Sequence, residues 1–140
     1  MQRTIIDFWR ALNYHACMNV LLVFAGGGLG AATRYLLQGF VYRVVGSEFP
    51  YGTMVVNILG CFLIGMVMSS LEERFTATPS LRIFLTIGVL GGFTTFSSFT
   101  YESLALLREG DVFAGLSNIF GSMVGCLAAT WMGTLVGRLV

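Results

Sequence analysis

Apolar residues in this chain fall into four long runs separated by short polar links. The runs cover about residues 18–42, 52–71, 82–107 and 112–137. A helix needs about 20 apolar residues to cross a bilayer core. The links carry turn residues, with Gly46 and Pro50 in the first, Pro79 in the second and Gly110 in the third. Connections this short make neighbouring helices antiparallel. The pattern predicts an all-α membrane protein with four transmembrane helices.

The third run departs from the others. Gly91-Gly92-Phe93-Thr94-Thr95-Phe96-Ser97-Ser98-Phe99 puts two glycines and four hydroxyl side chains where an apolar helix is expected. The stretch from Pro79 to Arg108 is about 45 Å long if fully helical, more than a bilayer core. Paired glycines weaken a helix, and Ser and Thr compete for its backbone bonds. The third helix is therefore expected to be broken mid-membrane. Non-helical backbone at that depth persists only where it is buried or lines an aqueous or ionic site. Freed carbonyls suit a cation. Phe93, Phe96 and Phe99 are spaced by three, so at least two can share a face, and aromatic edges are electropositive. Thr95, Ser98 and Glu102 form a second stripe, and Asn118 and Ser122 a third on the last run.

Two further polar residues lie inside the first two runs. Arg34 shares a helical face with Gly26, Gly30 and Gln38. It either snorkels to headgroups or attracts an anion at a vestibule. Asn57 shares a stripe with Thr53 and Cys61 and is the one amide in its run. Its two donors can bind an anion or join helices. In the fourth run Ser117, Gly121, Gly125, Ala129, Gly133 and Gly137 recur every four residues, which permits close helix approach within one subunit or between two.

Composition sharpens the class. Only 11% of the 140 residues are charged, and the mean hydropathy is +0.80. A soluble domain carries about 25% charged residues, so lipid is the fitting solvent. Net charge is +1, which excludes a basic nucleic-acid surface. Basic residues are nearly balanced across the predicted sides. Arg74, Arg82 and Arg138 lie on one, and Arg43 and Arg108, with Arg34 if it snorkels, on the other. A chain with so little orientation signal can insert both ways. Arg3 and Arg10 would tilt that balance. They belong to residues 1–17, a mixed stretch with Asp7 and His15 that reads as an interfacial helix, a dispensable arm, or an extension ahead of a start at Met18. Cys17, Cys61 and Cys126 have no metal-binding spacing and read as packing residues. Gly26-Gly27-Gly28-Leu29-Gly30-Ala31 mimics a dinucleotide turn, but no alternating strands and helices follow.

Three segments together resemble the Fluc (CrcB) fluoride channel family: GGGLGAATRY (26–35), GTMVVNILGCFLIG (52–65) and GGFTTFSSFTYE (91–102). The resemblance covers 18–140 and leaves out 1–17. It implies an antiparallel, dual-topology homodimer in the bacterial plasma (inner) membrane, crossed by two separate pores. It implies a structural sodium ion at the dimer centre, held by backbone carbonyls of Gly91 and Thr94. By motif position Phe96 and Phe99 would face the pore, Asn57 would be its amide, and Arg34 would stand in the vestibule. Ser98 would belong to a polar track with Thr95. Glu102 ends the family motif, and its carboxylate would be protonated, paired with Arg34, or turned from the path. Asn118 and Ser122 extend the track into the fourth span, where the family varies.

The chemistry suits fluoride, which is small and strongly hydrated and needs closely placed neutral donors. The implied activity is passive export of cytoplasmic fluoride, not catalysis. A competing class is the small dual-topology, proton-coupled exporter. That class needs a carboxylate in the first span, where this chain has Arg34 and no acid. An intramembrane enzyme lacks a base-paired nucleophile or a metal set.

Overall fold

The computed structural model describes residues 2–73 and 78–139, with side chains described over 16–72 and 78–139. The described residues are helical and form no strand. Helix α1 (Gln2–Val45) and helix α2 (Tyr51–Glu73) are continuous. The third span is assembled from α3 (Pro79–Arg82), a π-helical segment (Ile83–Leu90), α4 (Gly91–Phe93) and α5 (Phe96–Arg108). Helix α6 (Val112–Leu139) closes the chain. Four segments are long and apolar enough to cross a membrane: Ala16–Val45, Tyr51–Glu72, Pro79–Arg108 and Val112–Leu139. They match the expected spans to within three residues at every end. The backbone of 2–17 continues α1 without a break. The side chains of Arg3, Asp7, Arg10 and His15, and the whole of Arg74, lie outside the described residues.

Local chemistry sets the helix ends. Gly46 and Gly110 take positive φ of 95° and 90°, a conformation glycine adopts without a Cβ penalty. They stop α1 and α5. Asp111 accepts from the Ala114 N–H at 2.9 Å and starts α6. Thr78 caps the third span, with Pro79 at its first helical position.

Missing side chains decide the packing. Gly26 and Gly30 on α1 face the π segment and α4. A Cβ at Gly26 would sit 3.0 Å from the Gly88 Cα, and one at Gly30 would lie against the Val89 carbonyl and 2.8 Å from the Phe93 nitrogen. The small stripe of α6 settles mostly inside the subunit. A Cβ on Gly133 would press the Phe62 carbonyl and sit 3.0 Å from the Met66 nitrogen, and one on Gly137 would meet Met66 and Ser69. Gly65 reciprocates against Thr130. Pairs rise together along the two helices, from Met54–Gly121 to Met66–Gly137, so α2 and α6 run parallel. Such small-residue seams suit lipid, where dispersion at close approach replaces hydrophobic driving force. The Ser70 hydroxyl adds a 3.1 Å bond to the Gly137 carbonyl. Gly121 stays exposed at one end of this seam, where only the flexible tip of Met54 approaches it.

Candidate functional site

The third span loses its helical geometry at Thr94 and Thr95, inside the polar segment. Thr94 has φ −81°, ψ 156°, and Thr95 has φ −148°, ψ 109°, both extended. An unbroken helix would carry the Thr95 N–H to the Gly91 carbonyl. Here that N–H donates to Asn57 Oδ1 at 2.8 Å. Asn57 Nδ2 in turn donates to the Thr95 carbonyl at 3.0 Å. One side-chain amide from α2 thus satisfies both polar groups of one extended residue. The Ser98 N–H, which would reach the Thr94 carbonyl in a helix, donates to Thr95 Oγ1 at 3.3 Å. Thr95 Oγ1 also donates to Ser98 Oγ at 3.0 Å. Thr95 is therefore the N-cap of α5. The Gly91 and Thr94 carbonyls are among the acceptors at the break whose helical donors have been redirected.

A cavity of about 440 Å³ opens beside this break. Asn57, Gly91, Thr94, Phe96, Phe99 and Ser122 line it, with Thr86, Cys61 and Cys126 among the other polar or sulfur-bearing neighbours. The Phe96 and Phe99 rings sit 5.5 Å apart, tilted by 47°. Phe99 is 8% exposed and Phe96 76%, so the cavity is open on the Phe96 side. Phe93 belongs elsewhere. It lies before the break, is buried, and packs against the bare backbone of Gly60. The extended residues rotate it away from the other two rings.

Other candidates stand apart from the cavity, each for a visible reason. Thr95 is buried and Ser98 half-buried, and both are committed to the capping bonds above. Glu102 does not continue the Thr95–Ser98 stripe. Its Oε1 accepts from Thr53 at 2.8 Å, and Thr53 accepts from Gln38 Nε2 at 3.0 Å. This chain joins α5, α2 and α1. Among the described residues no ion pair joins Glu102 to Arg34, and Glu102 is not among the cavity-lining residues. Its Oε2 is buried without a hydrogen-bond partner. Arg34 is half-buried on α1, one turn before Gln38, outside the cavity. Asn118 also turns away. It is 1% exposed, donates to Ser103 Oγ at 2.9 Å, and leaves Ser122 to face the cavity. Ser122 keeps a 3.4 Å bond back to Asn118 Oδ1.

Gln38, Thr53 and Ser103 were not among the expected site residues. Thr53 and Gln38 carried a signal, because each shares a helical face with a residue that was singled out. Ser103 carried none, since its partner Asn118 is set by how α5 meets α6.

Relatives place the arrangement in a family. The family described as CrcB-like protein, Camphor Resistance (CrcB), matches residues 21–134. A "Fluoride-specific ion channel FluC" of Solibacter usitatus (strain Ellin6076) is 49% identical over 121 residues, 86% of this chain and 99% of the relative. A protein of the same name from Citrifermentans bemidjiense is 47% identical over 80% of this chain and 90% of its own length. One from Geobacter sulfurreducens is 44% identical over 85% and 96%. With the family match spanning most of the chain and relatives covered almost end to end, this protein belongs to the CrcB family.

Proposed function

We propose that the chain is one subunit of a fluoride-selective channel that lets cytoplasmic fluoride leave passively across the bacterial plasma membrane. The observation that carries this reading is the convergence of Asn57, Phe96, Phe99 and Ser122 on one cavity beside a broken span. The cavity offers neutral donors and aromatic edges and no charged side chain. A full positive charge would bind fluoride tightly and hold it. A weak, distributed set lets it enter and leave. Hydrogen fluoride enters cells as a neutral acid and dissociates in the more alkaline cytoplasm. An inside-negative potential of about 100 mV contributes about 2.3 kcal/mol per exported anion, or about a 50-fold lower internal level at balance.

The working unit in this reading is an antiparallel homodimer of dual topology. Two observations support it. The cavity of one subunit is open at Phe96, and polar backbone facing lipid is costly. A second copy would close that side. From residue 18 onward, loop charge gives little orientation bias. The break at Thr94–Thr95 then lies at membrane depth, near the middle of the 30-residue span. The residues fit a structural sodium ion there. The Gly91 and Thr94 carbonyls have lost their helical donors, and carbonyl oxygens are the ligands a hard cation takes. The ion would supply a fixed positive field at the dimer centre. Arg34 and Glu102 belong to the rim of the path in this reading, and Thr95 and Ser98 hold the break in shape.

Purified protein in liposomes tests the reading, with fluoride and chloride efflux followed by electrodes. Fluoride efflux far above chloride efflux is the expected result. No fluoride flux, or equal fluxes, would remove the channel assignment.

A further inference from the structure

The cavity carries a second set of groups that the anion path does not use. Cys61 of α2 and Cys126 of α6 both line it, and both are free thiols. The two side chains are neighbours where α2 and α6 meet beside the cavity. Met123, three residues before Cys126 on the same helix face, lines the same space. Three sulfur-bearing side chains from two helices therefore line one cavity. The helices are fixed independently of the sulfurs, by the Gly65–Thr130 approach and by the Ile58 side chain against Gly125. The pair is preorganised by packing.

The donor set is selective. Sulfur is soft and polarisable, and thiolate with thioether favours Cu(I) over hard cations. No His, Asp or Glu lines the cavity, and no group of three or more His, Cys, Asp or Glu able to hold a metal occurs among the described residues. A closed tetrahedral zinc site is thereby excluded. A d10 monovalent ion is satisfied by two or three sulfurs. Charge favours it as well: a monovalent ion that displaces one thiol proton leaves a neutral cluster, which an apolar cavity tolerates.

We propose that Cys61 and Cys126, with Met123, form a binding site for a soft monovalent d10 cation of the Cu(I) and Ag(I) class. On binding, one S–H bond breaks, one sulfur–metal bond forms, and the proton leaves to water. The second thiol and the thioether donate lone pairs without changing protonation. No electron is transferred. The site does not depend on which ion crosses the membrane.

Ag(I) is the probe, used on the full-length chain carrying Cys17→Ser so that the exposed third thiol is absent. The expected result is one Ag(I) per subunit with two or three sulfur neighbours by X-ray absorption at the silver edge. Both remaining thiols should lose reactivity toward a small thiol reagent together. Cys61→Ser and Cys126→Ser should each weaken Ag(I) binding about tenfold or more. A single sulfur neighbour per silver would overturn the site, and so would unchanged affinity in either serine variant. The absorption measurement is made with both thiols in place, so it holds even if a serine variant folds poorly.

Discussion

The extended Thr95 residue presents one N–H and one C=O, and the Asn57 amide matches both. An interhelical side-chain bond in a membrane protein averages only about 0.6 kcal/mol, because the unfolded state also finds partners. A backbone group left unpaired costs more, about 1–3 kcal/mol. Asn57→Asp replaces the donor by an oxygen facing the Thr95 carbonyl. It should destabilise the chain by about 2–4 kcal/mol and nearly abolish fluoride flux. Unfolding in mixed detergent micelles, read beside liposome efflux, checks both numbers. Phe96→Ile separates the roles. Phe96 is mostly exposed in the subunit and its ring meets Phe99; isoleucine keeps an apolar side chain of similar bulk on that side, so the oligomer should persist on size exclusion while fluoride efflux falls about tenfold or more. Unchanged efflux in this variant would show that the ring edges do not line the path.

Among elements, the seam between α1 and the third span is the least forgiving. Gly30→Ala would place a methyl against the Val89 carbonyl and the Phe93 nitrogen. Rigid backbone cannot move aside as a side chain can, so a loss of about 1–3 kcal/mol is expected. Gly28→Ala is the matched control, two residues away with nothing within 4 Å of the new methyl. It should be neutral or slightly stabilising through helix propensity. Thermal unfolding of the two variants in one detergent makes the comparison, and similar melting temperatures would contradict the seam. The π segment over Ile83–Leu90 lies along this same seam. Its sequence, IFLTIGVL, reads as an ordinary apolar helix. Its wider turn is tied to how Gly88 and Val89 meet the α1 backbone, which no local pattern encodes.

For the whole molecule, the proposed sodium ion couples assembly to ionic conditions. An ion that binds only the assembled state stabilises it by mass action. Replacing all Na⁺ by a large organic cation should therefore lower both the thermal stability of the proposed dimer and fluoride efflux, and returning Na⁺ should restore both. Efflux and stability indifferent to Na⁺ would place the ion elsewhere or remove it. The outward faces of the helices need no such ion. Phe24, Phe113 and Trp131 stand exposed, as lipid-facing side chains do.

Four spans, their short links and the position of the polar interruption are legible in the order of residues alone. Spans are read from runs of 20 or so apolar residues, and Gly91 to Phe99 violates that rule within its own few residues. The family, too, was legible, because three motifs in fixed order carry it. Which polar residues share a space is set by how the helices pack. Asn57 and Thr95 are 38 residues apart and meet because α2 packs beside the break. Glu102 looks like a continuation of the Thr95–Ser98 stripe, yet it bonds to Thr53, 49 residues away. Asn118 and Ser122 share a helix face in the sequence but divide between a buried bond to Ser103 and the cavity. Helical spacing fixes which residues lie on one face of one helix. Which neighbour that face meets depends on how closely backbones approach, and here the glycine seams set that distance.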